Sequence, residues 1–455
     1  MEQTGLLQQA SGIEAVAWGL HDGGVEFVTA YPGFHAHDLA DHLDIPTFSI
    51  NEKNALAVAW GASLAGLRAT AIFKNVGLND AADPFVNACV LGVRAGLVLV
   101  VLDDIDVEQS QIQQDSRPYA EFPCSLWLEP RSVADAYDLA RQAAELSEHL
   151  ETLVVLRLTN LLTQASGPVR RFPVLTGRMD FRRDPQRWVA HPAHGEIQRQ
   201  RLLARQEAVA AWVDAACPVP TLPADRPVLM TAGMASLAGQ PPDLITFTLP
   251  LPRPWLQALA YLNAPIIVEE HGGPYLAGKV AAALGATRVR PCPVRAPGSV
   301  REYRSTERYE PLYSLLREVP GRVVVGDLGG HTMDPAGTVD ACLCYGCSVG
   351  VATGLALADS TARVFCVTGD AAFRHSGRLA LEEAVARQAS LVVIVLDNGG
   401  SVGTGGQRLP GTCWADVPGL ERHDLGFPTE GAVEPLRNLL ERPARPRLVR
   451  LGTTF

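Results

Sequence analysis

The sequence predicts an α/β protein built from doubly wound parallel sheets, and three observations carry that prediction. Short apolar runs recur along the chain, among them Leu97 to Leu102, Val364 to Val367 and Leu391 to Leu396. Such runs mark parallel strands buried on both faces. Segments with helical spacing separate them, as crossover connections between parallel strands require. Several runs also stop on a short polar turn: Asp103-Asp104, Gly326-Asp327, Gly369-Asp370 and Asp397-Asn398. Open α/β sheets bind ligands at those strand ends.

Taken in order, Gly5 to Gly19 reads as an amphipathic helix, closed by the turn His21-Asp22-Gly23-Gly24. Strand Val25 to Ala30 leads to the loop Tyr31-Pro32-Gly33, and a short strand near Thr47 to Ile50 delivers Asn51-Glu52-Lys53. A small-residue helix, Ala55 to Gly66, precedes strand Ala69 to Phe73 and the polar loop Lys74 to Asn79. Helix Ala81 to Gly92 and strand Leu97 to Leu102 follow, then a polar stretch, Gln109 to Pro118, expected to be an ordered loop or lid. Helix Ser132 to His149 and strand Thr152 to Leu156 complete a first domain.

Gly167 to Pro192 is rich in Pro and Arg and reads as a surface linker, ahead of a charged helix, Glu196 to Ala215. A further α/β unit begins at Arg226, with strands Pro227 to Thr231 and Pro265 to Val268; Pro291 to Pro311 reads as a second linker. The last domain opens with strand Arg322 to Val325 and holds the unit organised around Gly369 to Gly400. There, Gly96 to Asp104 is echoed by Ser390 to Asn398, which suggests two similar α/β domains at opposite ends of the chain. The expected boundaries are 1–165, 166–222 (linker and helix), 223–300 and 301–455.

With 455 residues the chain is long enough for two or three domains, and its 47% hydrophobic and 19% charged content is that of an ordinary globular protein. A formal net charge of -10 and the lack of a basic run argue against a nucleic-acid partner. No secretory signal and no run of membrane-spanning length is visible, and most of the nine cysteines lie in apolar segments. A cytoplasmic protein is expected. Cys342, Cys344 and Cys347 form the densest cysteine cluster, but no partner motif completes an iron–sulfur site.

Asp370 and Asn398 arrive at the ends of neighbouring strands beside a glycine-rich turn. Two such oxygen-bearing side chains suit a hard cation such as Mg2+, which keeps its other positions for phosphate and water. Their spacing, with Gly400 two residues on, resembles the diphosphate-and-metal motif of thiamin-diphosphate enzymes; Ala371 stands where that motif usually has Gly. More widely, the chain resembles the alpha subunit of indolepyruvate ferredoxin oxidoreductase. The matching stretches are Tyr31-Pro32-Gly33, Asn51-Glu52-Lys53, Lys74 to Asn79, Ala82-Asp83-Pro84, Gln114 to Arg117, Leu249 to Pro252, Val268 to Glu270, Gly326 to Gly329, Gly369-Asp370, His375 to Gly377 and Leu396 to Asn398.

The resemblance implies three domains of the thiamin-diphosphate-binding type: pyrimidine-binding, middle and diphosphate-binding. It implies Glu52 as the carboxylate that activates the cofactor's pyrimidine, and Asp370, Asn398 and the Gly400 carbonyl around Mg2+. Backbone amides near Gly369 and Gly329 are the implied phosphate donors, and Tyr345 stands near where the family places the side chain that bends the cofactor. Gly33, Lys74 and Asn79 are candidates for the pyrimidine or substrate site. Histidine suits proton transfer near neutral pH; His35, His375 and His331 all sit at predicted strand ends, the first two ranking first. The family arrangement also implies a homodimer in which Glu52 of one subunit serves Asp370 of another.

Two departures bear on the reaction. The family continues into a ferredoxin-like domain, which this sequence does not show. It also carries a Cys-Pro-x-Cys-Pro-His segment, absent at Glu307 to Ser314. They favour a non-oxidative decarboxylase or carboligase acting on a 2-oxo acid, arylpyruvates included. The alternative is an oxidoreductase alpha subunit passing electrons to a separate subunit, with coenzyme A as acyl acceptor. A catalytically silent paralogue fits poorly with Glu52, Asp370 and Asn398 all present.

Overall fold

The computed structural model describes residues 7–45, 48–105, 107, 110–123, 125–180, 184–188, 194–234, 241–262, 264–291, 307–327, 329–332, 334, 336–340, 345–346, 348–358, 361–402, 405–410, 417–428 and 434–452. The chain divides into two compact units, 1–297 and 298–455.

The first unit carries two main sheets. One has six strands in the spatial order Thr248–Leu249, Leu126–Leu128, Val154–Thr159, Leu97–Asp103, Ala69–Lys74, Phe27–Ala30. Five run parallel; Thr248–Leu249 is antiparallel and closes the edge from far along the chain. Leu97–Asp103 and Val154–Thr159 are buried at every position, which is why both lack the alternation of a half-exposed strand. The other sheet has four parallel strands in the order Val289–Pro291, Ile266–Glu269, Val228–Ala232, Leu244–Thr246.

A buried ionic network joins the ends of these two sheets. Arg157 Nε lies 2.6 Å from Asp103 Oδ2 and its Nη1 lies 2.8 Å from Glu129 Oε2. Arg117 reaches Asp115 Oδ2 at 2.6 Å and Glu270 Oε2, from the second sheet, at 2.7 Å. Arg157 Nη2 donates to the His271 carbonyl at 3.2 Å. Glycine makes room for this traffic: a Cβ on Gly233 would stand 2.5 Å from Glu129 Oε1, and one on Gly272 would stand 2.9 Å from Arg117 Nη2.

The second unit is a five-stranded sheet in the order Arg322–Gly326, Arg363–Gly369, Leu391–Asp397, Arg447–Gly452, Glu421–Gly426, parallel throughout. Alternate residues separate two cores. Val364, Cys366, Val393 and Val395 pack with Val349, Ala352, Leu381 and Ala384 of the helices Ser348–Ala358 and Arg378–Ala386. Phe365, Val367, Val392 and Ile394 pack with Leu312, Leu316 and Leu436 of the helices Glu310–Glu318 and Glu434–Leu439. Helices cover both faces, as the doubly wound class demands.

Several elements differ from expectation. Leu7–Ser11 is a strand, antiparallel to Ser166–Arg170, and the first helix starts only at Gly12. Ser11 explains the start: its Oγ accepts from Glu14 N while Glu14 Oε2 accepts from Ser11 N, a capping box. The pairing also makes Ser166–Arg170 part of a sheet rather than of a linker. Phe48 and Ser49 form no strand, although Ser49 N donates to the Ala30 carbonyl; residues 46 and 47 lie outside the described set. The polar stretch after Lys74 is a short helix, Asn75–Asp80. Cys342, Cys344 and Cys347 also lie outside the described residues, whereas Cys89, Cys217 and Cys366 are buried and in no disulfide. Among the described residues no helix is long and apolar enough to cross a membrane.

Candidate functional site

In the second unit, three adjacent parallel strands end together. The register pairs Gly326 with Val367 and Gly369 with Leu396, so Asp327, Asp370 and Asn398 share one edge of the sheet. Asp327 is fully buried, and its carboxylate accepts from Gly346 N at 2.7 Å and from Ser348 Oγ at 2.6 Å. It is thereby occupied in starting the helix at Ser348.

Asp370 is placed differently. It opens a helical run that continues through Ala386, behind the extended N-cap residue Gly369. It is 1% exposed, and Oδ2 accepts no aligned hydrogen bond, its neighbour being Arg374 Nη2 at 3.2 Å. Burial pushes its carboxyl up to about 6; Arg374 opposes the shift and the nearby Asp397 adds to it.

The Asn398 amide supplies the third element. One terminal atom of it lies 2.7 Å from the Gly400 carbonyl oxygen and 3.0 Å from Asp370 Oδ1. With nitrogen in that place, the amide donates to both oxygens. With oxygen there, an amide, a carbonyl and a carboxylate oxygen crowd one point, which only a cation between them stabilises. This donor set fits Mg2+, and Asp370 Oδ2, ion-paired with Arg374 but accepting no aligned hydrogen bond from the described residues, leaves further acceptor capacity. Gly400 is required by its neighbours, because a Cβ would stand 2.4 Å from the Gln407 carbonyl oxygen. Ser401 N bonds that same carbonyl, and Arg374 Nη1 donates to the Leu409 carbonyl at 3.1 Å. The loop carrying Asn398 and Gly400 is tied down on both sides.

Beside this cluster, Phe373–Gly377 forms a single π-helical turn, a distortion often found at functional sites. It holds buried His375, whose Nδ1 lies 2.6 Å from Ser376 Oγ and whose ring meets Tyr345 edge-on at 5.2 Å. Among the described residues, apart from its chain neighbours, no atom stands within 4 Å of where a Cβ on Gly369 would project. Gly329 instead lies against His331. Burial holds the His331 imidazole below its usual range.

In the first unit, Asn51 caps the helix Glu52–Leu64, its Oδ1 accepting from Asn54 N at 2.9 Å. Glu52 is thus the first helical residue, 6% exposed, and lies over Gly77, where a Cβ would come within 2.5 Å of its Cγ and Oε1. Gly77 went unnoticed from sequence; a glycine inside a polar stretch gives no sign of the side chain above it. Gly33 packs on Lys74, and His35 meets Asp38, Nδ1 to Oδ2, at 2.9 Å. Lys74 Nζ lies 2.5 Å from Asp104 Oδ2 and donates to Ser110 Oγ at 3.1 Å, so a neighbour already holds its charge. Asn79 is exposed and spans Gln114 and Tyr119.

Residues 327–419 match the family described as "Thiamine pyrophosphate enzyme, C-terminal TPP binding domain". That match marks residues 327–419 as similar to the C-terminal domain of thiamin-diphosphate enzymes, in keeping with the doubly wound sheet found there. Over more of its length the chain resembles the indolepyruvate oxidoreductase subunit IorA. It is 29% identical to that of Archaeoglobus fulgidus and 27% identical to that of Methanothermobacter thermautotrophicus, covering 88% of this chain and 76% of each relative. Among solved structures, the 2-oxoglutarate:ferredoxin oxidoreductase of Magnetococcus marinus shares the fold, with a TM-score of 0.53 and 15% identity over 64% of this chain and 62% of that one.

Proposed function

We propose that the chain is the thiamin-diphosphate-binding subunit of an indolepyruvate-type 2-oxo acid oxidoreductase that passes electrons to a separate subunit. Similarity to the IorA subunits along 88% of the chain carries the reading. It is better supported than the non-oxidative decarboxylase or carboligase that the sequence first favoured. One specific observation keeps that second reading: Glu307 to Ser314 lacks the family's Cys-Pro-x-Cys-Pro-His segment.

In this proposal residues 1–165 form the pyrimidine-binding part, 166–222 a linker and helix, 223–300 the middle part and 301–455 the diphosphate-binding part. Thiamin diphosphate, when bound, supplies the electron sink on which a 2-oxo acid loses its carboxylate. Asp370, Asn398 and the Gly400 carbonyl hold Mg2+, and the amides at Gly369 and Gly329 face the diphosphate. Glu52 hydrogen-bonds the pyrimidine, with Gly33 and Asn79 beside that site. Tyr345 supports the cofactor, and His375 handles protons. Two copies assemble, which light scattering measures directly.

The test is to incubate the protein with thiamin diphosphate, Mg2+ and arylpyruvates or aliphatic 2-oxo acids, with and without coenzyme A and an electron acceptor. Turnover that requires acceptor and coenzyme A supports the oxidoreductase. Aldehyde or acyloin formed without acceptor supports the second reading, and a protein that binds no thiamin diphosphate defeats both.

A further inference from the structure

We propose that His35 is a proton-transfer residue of the 2-oxo acid reaction, with Nε2 as the working atom and Asp38 as the residue that positions it; this rests on the functional reading above. His35 lies in the loop after strand Phe27–Ala30, at the edge where Lys74 ends the neighbouring strand and where a Cβ on Gly33 would stand 3.0 Å from Lys74 Cβ. From the same strand, Thr29 Oγ1 donates to the Ala55 carbonyl at 2.9 Å, binding it to the helix that presents Glu52. His35 and Glu52 therefore reach one sheet edge on adjoining elements.

The backbone of His35 is left-handed, φ 59°, a conformation uncommon outside glycine, in which asparagine, aspartate and histidine are the residues most often found. It precedes the helix Ala36–His42 but makes no capping hydrogen bond, so capping does not explain the strained residue. What the conformation achieves is the contact of Nδ1 with Asp38 Oδ2 at 2.9 Å. An ionised carboxylate only accepts, so Nδ1 carries the proton and the lone pair of the neutral ring sits on Nε2. His37 lies beside the pair: its Nδ1 donates to the Gly33 carbonyl at 2.7 Å and its Nε2 lies 3.2 Å from Asp38 Oδ1. Nε2 of His35 is buried, and among the described residues nothing bonds to it. A tautomer fixed on one side and an open lone pair on the other is the arrangement of a general base.

The step is a proton transfer. Nε2 takes a proton from a hydroxyl or water at the reacting centre, the O–H bond breaks with its electron pair left on oxygen, and an N–H bond forms. Return of the proton later in the cycle restores the ring, so no oxidant or reductant is consumed.

The test uses His35→Asn, because asparagine tolerates the left-handed backbone and cannot relay a proton, together with Asp38→Asn. Turnover in His35→Asn should fall by roughly 100-fold or more, with thiamin diphosphate binding by calorimetry unchanged. Asp38→Asn should lower turnover on the order of tenfold and move the alkaline or acid limb of the pH profile. Independently of turnover, ring-nitrogen NMR of the protein without cofactor should show the Nδ1–H tautomer at His35, lost in Asp38→Asn. Wild-type turnover that survives His35→Asn within about twofold overturns the inference alone, as does an Nε2–H tautomer. No wild-type turnover of any 2-oxo acid overturns the functional reading, and this inference with it.

Discussion

The ends of the buried strands in the two units carry similar side chains put to opposite uses. In the first unit, Asp103 ends one strand, Arg157 lies inside the neighbouring one, and both are locked into a network with Asp115, Arg117, Glu129 and Glu270. In the second, Asp370 ends at the equivalent edge of its sheet with one oxygen on the Asn398 amide and the other beside a single arginine. The first arrangement spends its charges on joining two sheets, although Asp103 Oδ1 and Glu129 Oε1 accept no aligned hydrogen bond from the described residues. The second holds a carboxylate that burial makes reluctant to ionise, close to two more oxygen ligands. What separates the two strand ends is their surroundings: two arginines face the acids of the first, whereas Asp370 faces Arg374 and, beside it, the Asn398 amide and the Gly400 carbonyl.

The sharpest way to break the contrast is to delete one arginine from each region. Arg157→Met leaves Asp103 and Glu129 buried without their cation, and such a loss costs about 3–5 kcal/mol. Arg374→Met should cost about 1 kcal/mol or less, because Asp370 can take up a proton instead of staying charged. Urea unfolding of the two variants measures both, and equal losses would erase the distinction. The next effect is in pH. The folded-state value of Asp370, about 6, lies above its ordinary 3.8. Its contribution is therefore fully present below about pH 4, falls as pH rises through about 6, and is constant beyond that. The decline should reach at most about 3 kcal/mol in protein stripped of metal with EDTA. Added Mg2+ should offset the loss at the alkaline end, where the carboxylate is ionised. Flat stability across this range would mean that Asp370 is not buried as described.

Glu52→Gln tests the other unit's contribution. The amide keeps the shape of the side chain, so unfolding should change by under about 1 kcal/mol. Turnover should fall about 100-fold if Glu52 is, as proposed, the group that exchanges a proton with the pyrimidine. Near-normal turnover would remove Glu52 from the site.

The fold was largely legible because its strands are buried on both faces and appear as apolar runs: Leu97 to Leu102 and Leu391 to Leu396 each came within a residue of the strand found. What stayed hidden depended on distant partners. Leu7–Ser11 is polar and pairs with a strand about 160 residues away, while Thr248–Leu249 owes its place to Leu126–Leu128. Asp370, Asn398 and Gly400 were readable through their resemblance to the motif of thiamin-diphosphate enzymes, and the structure brings them together. The Arg157 network, Arg374 beside Asp370 and Asp38 beside His35 were not, since no residue in a single sequence announces its ion-pair partner. Asp38, three residues from His35 in the first turn of a helix, was the most accessible of these.

Gly77 offers the finest test, because stability and function should move apart there. It lies inside the helix Asn75–Asp80, where alanine is favoured over glycine by about 1 kcal/mol. Its missing side chain is also what lets Glu52 lie where it does, for a Cβ would come 2.5 Å from both Cγ and Oε1. Those atoms belong to a movable side chain, so Gly77→Ala should displace Glu52 rather than open the helix. The propensity gain and the displacement should nearly cancel, leaving unfolding within about 1 kcal/mol of the parent. Turnover should fall roughly tenfold or more, as a shift of a fraction of an ångström in a reacting group suffices for that. Lost stability with unchanged turnover would show that Gly77 serves the packing of the loop and not the placement of Glu52.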